Sequence, residues 1–311
     1  MDDERLHAVL IEPQLARFRE VCGLQGEGLE IRFSGWHRHA ILSHDRVFLF
    51  PRHRQWVAGL QREAALLGAL NDRSPVVPRL LGAWQDDGIS PYPFIATSRI
   101  PGTVWGALEA DVSFDQVATM VTSLGRAIAG WHSIELRDLP PRFRRRGPGP
   151  RGFDVSLAED ALRPQAERAV KLLDAPGKTV ETWLNDLAPL RKLKPVLVHG
   201  DVHEDQILVD AEMQVTGVFD WETASAGNPV KDFDFGEWGF NIFRWEAEFP
   251  VLRRAMWDAY AAARGIELPS WQVMHLFYCL RDLPPDDAAG EWTATRRNRI
   301  LDALRDFTAD P

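Results

Sequence analysis

Apolar and polar positions change period several times along the chain. Residues 4–22 read as a helix, interrupted or restarted near Pro13. Over 29–50, "LEIRFSGWHRHAILSHDRVFLF" breaks into short β-type runs at Ser34-Gly35 and at the turn candidate His44-Asp45. From Gln55 to Leu70 the period becomes helical, with Trp56, Leu60, Leu67 and Leu70 at helix spacing. "SPVVPRLLGAW" and "PYPFIATSRIPG" then read as loop and strand pieces that close at Pro101-Gly102. Residues from about 29 to 98 therefore predict a β-rich unit with one embedded helix.

Beyond Gly102 the pattern is mostly helical. Ser113 is a candidate N-cap for a helix reaching about residue 134. "LPPRFRRRGPGPRG", 139–152, reads as a solvated, mobile connection, with a phosphate-attracting lid as the alternative. Residues 154–191 and 246–308 are largely helical in pattern. Between them lie three short apolar runs, Val196–Val198, Ile207–Val209 and Val215–Phe219, separated by "HGDVHEDQ" and by the turn "DAEM". The layout is α+β: a small β-rich lobe, a linker near 98–103, and a large helical lobe holding a few short strands.

Composition narrows the partners. With 45 acidic against 36 basic residues the net charge is −9, which argues against nucleic acid as a partner, since phosphate binding needs a clustered basic surface. No run of about 18 apolar residues is present, so no membrane span is expected. The charged N-terminus lacks a signal-peptide apolar core. Cys22 and Cys279 stand outside any motif and read as thiols of a reducing cytoplasm. Twelve Trp imply a Trp-rich core or an aromatic pocket.

The chemistry concentrates after the first of the short strands. Asp201 follows that strand and Asp220 ends the third, with Gln206 between them. Strand-end loops on one side of a small sheet would bring the three together. One carboxylate can take a proton from a hydroxyl; a second, with an amide oxygen, can hold Mg²⁺ beside phosphates. That is the minimal equipment of phosphoryl transfer.

"VLVHGDVHEDQILVD" and "VTGVFDWETASAGNPVKDFDF" resemble the catalytic loop and metal-binding segment of the aminoglycoside phosphotransferase family, within the protein-kinase-like fold. The resemblance implies a bilobal kinase-like chain. Residues 1–98 would form the nucleotide-binding lobe and 99–311 the helical catalytic and substrate lobe. It implies Asp201 as catalytic base, Asp220 as main Mg²⁺ ligand, and Gln206 at the position where the family usually has Asn. ATP or GTP would be the donor. A small-molecule hydroxyl would be the acceptor, most prominently an antibiotic such as an aminoglycoside or macrolide. His199 and Asp232 would brace the loop, and His203 could reach substrate. "SGWHRHA" sits where the phosphate loop should be, with Ser34, Gly35 and Arg38 as candidate contacts. Glu63 sits at the family's helix acid, and adenine would pair with backbone near Ser98 and Ile100.

Besides Gln206, one departure from the family pattern follows from the same resemblance. Leu49 stands where the family has Lys or Arg. On a regular strand Val47, Leu49 and Pro51 share a face that Arg46 and Arg52 do not, so the positive charge is expected from the loop, Arg38 first, with Glu63 left to another partner. On the substrate side Asp234, Glu237, Glu246 and Glu248 interleave with Trp238, Phe240, Phe243 and Trp245. Acids suit a polycation and aromatics an amphipathic molecule. Two functions stay open: a small-molecule kinase, or a pseudokinase acting as a regulatory binding protein without transfer.

Overall fold

The computed structural model of the protein describes residues 10–32, 37–108, 112–144, 159–235, 240–288 and 290–308. Helix α1 (Glu12–Cys22) opens with Pro13 in its first turn and ends at Gly23, φ 66°. Pro13 thus starts this helix rather than interrupting it, because a proline lacks only an N–H that the first turn does not use. Five antiparallel strands follow: β1 (Glu30–Arg32), β2 (Arg38–Leu42), β3 (Arg46–Pro51), β4 (Leu80–Trp84) and β5 (Phe94–Ser98), in the order β1-β2-β3-β5-β4. Helix α2 (Val57–Leu70) connects β3 to β4.

Alternation along β3 divides the work of this sheet. Phe48 and Phe50, with Phe94 of β5, surround Phe18 of α1 at 4.8–5.9 Å between ring centroids, and all four rings are buried. The opposite face pairs Arg38 with Pro51, Ala40 with Leu49 and Leu42 with Val47. Glu63 of α2 meets Arg38 from that side.

The second part is mainly helical: α3 (Phe114–His132), α4 (Glu159–Leu173), α5 (Lys178–Asp186), α6 (Phe249–Arg264), α7 (Trp271–Asp282) and α8 (Glu291–Arg305). Ser113 caps α3 in a reciprocal box with Gln116. Helices α3 and α6 approach closely at Gly125, where a Cβ would collide with the Met256 carbonyl oxygen. Trp105, Trp131, Trp183, Trp221 and Trp257 are fully buried, so much of the tryptophan content serves the core.

The short strands differ from their expected arrangement. β8 (Ile207–Val209) pairs on one side with β9 (Val215–Val218) and on the other with a two-residue strand, β6 (Thr103–Val104), whereas β7 (Val196–Val198) pairs with β10 (Ser225–Gly227). The three apolar runs are therefore not one sheet. β6 and the Ser-Ala-Gly of β10 are too short and too small-sided to carry a period-2 signal. The linker lies directly on β9: Thr216 Oγ1 donates to Pro101 O at 2.7 Å, and Gly102 has φ 141° with Thr216 where a Cβ would stand.

The basic loop is also corrected as far as residue 144. Phe143 is buried under the Arg62 guanidinium, 4.7 Å from its ring centroid, and Arg142 Nη2 donates to Gln61 O. This stretch docks on α2 instead of standing in solvent, because Phe143 supplies apolar area between the arginines. Among the described residues no helix is long and apolar enough to cross a membrane.

Candidate active site

The chain reverses after β7 at His199 and Gly200, and one buried carboxylate holds the reversal. Asp232 Oδ2 accepts from His199 N at 2.9 Å, Trp131 Nε1 at 2.9 Å and His132 Nε2 at 3.0 Å, while Oδ1 accepts from Gly200 N at 2.8 Å. Burial alone would raise this carboxyl, but His132, His199 and the Gly200 N–H outweigh it and hold it at about 2. Gly200 has φ 87°, and a Cβ there would meet Lys231 Nζ at 2.9 Å and Thr223 O at 3.3 Å, so the position is closed to side chains.

A second set of bonds ties this loop to the one after β9. His199 Nε2 donates to Phe219 O at 3.0 Å, and Thr223 Oγ1 donates to His199 O at 2.8 Å. Burial depresses the His199 pKa; the neutral ring carries its proton on Nε2, as the carbonyl partner requires. Asp220 then takes a left-handed backbone, φ 68°, and opens a 3₁₀ turn over Trp221–Thr223. Asp220 and Glu222 both turn toward β2.

Arg38 gathers the acids on that side. Its Nη1 bonds Glu63 Oε2, and its Nη2 donates to Asp220 Oδ1 at 3.0 Å and Glu222 Oε2 at 2.5 Å. Glu63 Oε1 in turn accepts from Trp221 N at 3.1 Å. His37 stacks on Trp56, 3.6 Å between centroids, and meets Glu222 Oε1 at 2.8 Å. Burial opposes the Arg38 charge, but Glu63, Asp220 and Glu222 outweigh it and raise its pKa. Burial, and then Glu222 and Asp201, raise Asp220 against the pull of Arg38. Two expectations change here. Glu63 is not left to another partner; Arg38 is its partner. Arg38 is not a loop residue but the first residue of β2, on the same face as Leu49.

Gln206 ends a single 3₁₀ turn, Glu204–Gln206, just before β8. It is 5% exposed. Its Nε2 donates to Asp201 Oδ2 at 3.4 Å, and its buried Oε1 has no hydrogen-bond partner. An orphaned buried acceptor costs about 1–3 kcal/mol, and a hard cation would satisfy it. Three carboxylates against one guanidinium around Arg38 leave an excess of negative charge in the same cleft. The donor set therefore fits Mg²⁺, which prefers oxygen ligands and keeps several waters and phosphate oxygens. Among the described residues no group of three or more His, Cys, Asp or Glu side chains forms a metal cage.

The remaining predicted residues divide three ways. Ser34, Gly35, Glu237 and Trp238 lie outside the described residues. Ser98 is committed inside the small lobe: its N–H donates to Arg79 O and its Oγ accepts from Arg79 N, both at 2.9 Å. Its N–H is therefore taken up within the small lobe and is not open to a base. His203 Nδ1 accepts from Asp205 N at 3.3 Å and caps the 3₁₀ turn. Asp234 is gripped by Arg281 at 2.8 and 2.5 Å, and Glu246 by Arg296 and Arg299. These two acids are neutralised internally and are not open carboxylates awaiting a polycation. The residue the sequence reading missed is Glu222. Its signal was the spacing Asp220-Trp221-Glu222, which a 3₁₀ turn converts into two acids facing one way.

A five-stranded lobe over a helical one, with strand-end carboxylates meeting in the cleft, is the architecture of a kinase-like phosphotransferase. The chain belongs to the phosphotransferase enzyme family, whose model matches residues 30–277, and is a small-molecule kinase. It is 29% identical over 223 residues to viomycin phosphotransferase of Streptomyces vinaceus, covering 66% of this chain and 71% of that protein. In fold it is similar to macrolide 2′-phosphotransferase from Brachybacterium faecium (TM-score 0.51, 21% identity, 94% of this chain and 97% of that one). It is likewise similar to a point mutant of aminoglycoside 2′-phosphotransferase-IIIa solved with GDP (TM-score 0.53, 17% identity, 94% of each chain). This membership does not favour the reading as a pseudokinase.

Proposed function

We propose that the chain transfers the γ-phosphoryl group of ATP or GTP to a hydroxyl of a small molecule, an antibiotic of the aminoglycoside or macrolide kind being the leading class. Residues 1–98 form the nucleotide-binding lobe and 99–311 the catalytic and acceptor-binding lobe. The Asp201 carboxylate takes the proton of the acceptor hydroxyl. The freed oxygen bonds to the γ-phosphorus, the bond from that phosphorus to the β–γ bridging oxygen breaks, and the nucleoside diphosphate leaves with the bridging oxygen. Asp220 and Gln206 would hold Mg²⁺, which would neutralise phosphate charge. Asp232 keeps the His199–Asp201 backbone in place, and Glu63 anchors α2 against Trp221. The linker backbone at Ile100 faces the base. A nucleotide donor is supported by the GDP complex of the structurally similar enzyme, and an antibiotic acceptor by the viomycin enzyme.

The observation that carries this reading is the buried, unpartnered Oε1 of Gln206, whose Nε2 donates to Asp201 Oδ2. The test is nucleotide turnover and binding over a Mg²⁺ titration with an acceptor panel. Gln206→Asn keeps or raises activity, since it retains the amide oxygen on a shorter stem. Gln206→Ala shifts the Mg²⁺ requirement upward. An unchanged Mg²⁺ dependence in Gln206→Ala removes Gln206 from the ligand set.

A further inference from the structure

The chain lacks a basic side chain on β3 at the place where Leu49 stands, yet the acid of α2 is not left unanswered. The register pairs Arg38 with Pro51 and Ala40 with Leu49. Cross-strand partners lie on one face of a sheet, so Arg38 and Leu49 share a face and stand one diagonal step apart. From β2 the longer Arg reaches Glu63. Arg46 of β3 is excluded from this role: it lies on the opposite face and donates through Nη1 to Cys22 O at 2.7 Å.

The bonds of Arg38 divide unequally between its two arms. Nη1 is fixed on the buried Glu63, itself held by Trp221 N. Nη2 is shared between Asp220 and Glu222 of the other lobe. A planar guanidinium with one arm on an anchor can present its other arm to a phosphate without changing rotamer greatly. One cation would satisfy one carboxylate; here three compete for it, so a second cation arriving with a nucleotide would release Nη2.

Resting on the phosphotransferase reading above, we propose that the phosphate-clamping cation of this enzyme has moved from β3 to β2. Arg38, anchored by Glu63, holds Asp220 and Glu222 without nucleotide and turns its Nη2 arm to the donor phosphates when nucleotide enters. A residue that merely tied the lobes together would affect binding of any nucleoside. A phosphate clamp affects only ligands that carry phosphates, and a cation returned to β3 replaces it.

The experiment is a titration of nucleoside triphosphate with Mg²⁺, and of the unphosphorylated nucleoside, into wild type, Arg38→Ala and the double variant Arg38→Ala/Leu49→Lys. Arg38→Ala weakens triphosphate binding about tenfold or more and leaves nucleoside affinity within about twofold. Adding Leu49→Lys recovers several-fold of that loss. Where Arg38→Ala does not fold, Arg38→Gln keeps the length and a donor while removing the charge, and the same comparison is made with it. Equal losses for nucleoside and triphosphate, no recovery with Lys at the Leu49 position, or unchanged affinity in the Arg38 variants each overturn the proposal. Wild type that binds no triphosphate overturns the donor reading as well. Wild type that binds while the Arg38 variants bind equally well overturns this inference alone.

Discussion

Asp201→Asn lowers turnover by about 10²–10⁴-fold, the usual worth of general-base assistance, and leaves nucleotide affinity close to that of wild type. The carboxylate follows β7 at a backbone reversal that other groups hold: Gly200 N by Asp232 and His199 by both Asp232 and Phe219. Its replacement by an isosteric amide therefore disturbs neither the loop nor the small lobe. The proton of the acceptor hydroxyl loses its destination, while the donor keeps its contacts. Steady-state rates beside a nucleotide titration and a melting curve separate the cases. Near-normal turnover removes Asp201 from the role of base, and a large drop in melting temperature would assign it to the scaffold.

Asp232→Ala acts through the fold. Four donors converge on this carboxylate, and it is fully buried with His132. Its removal leaves the His199, Gly200 and Trp131 N–H groups and the His132 ring without their acceptor, and each buried donor so orphaned costs about 1–3 kcal/mol. Urea unfolding at neutral pH reads the stability, and the remaining folded protein shows depressed turnover because Asp201 is no longer held. Acid reports the same network. The Asp232 pKa is about 2 in the folded chain against about 3.9 unfolded. Its contribution is present above about pH 4 and is lost as pH falls toward 2. The gap between wild type and Asp232→Ala therefore narrows below pH 4. His132 and His199 are depressed by burial, so the unfolded chain takes up protons first. Wild-type stability already begins to fall as pH drops through about 6.5. A gap that stays constant down to pH 2.5 contradicts the ionised, four-bonded Asp232.

Asp232 also shows how far local reasoning reaches. Its bracing part was legible because it stands in a motif stretch, but its partners Trp131 and His132 are a hundred residues away on α3, and no spacing rule connects them. Elements with a strong period were legible outright. β3 alternates Phe48 and Phe50 against Leu49, α2 repeats its leucines, and Ser113 announces α3; each is dictated within a turn or a strand pair. β6 and β10 were not, since two or three small residues make a strand only when a partner strand already lies beside them. The acids Asp234 and Glu246 looked available for a cationic substrate because a sequence does not show that Arg281, Arg296 and Arg299 fold onto them.

The Arg38–Glu63 pair marks the division most clearly. The sequence by itself determined the kinase-like lobe order, the Asp201–Gln206–Asp220 progression and the absence of a cation at Leu49, because these depend on neighbours along the chain. The sequence also put Arg38 first as the source of positive charge, but on a loop; that Arg38 stands on β2, on the Leu49 face and against Glu63, was decided only by the β2–β3 register, which puts position 38 opposite 51. One residue of slip would send Arg38 to the phenylalanine face instead, and register is a property of two paired strands and the core beneath them, not of either strand alone.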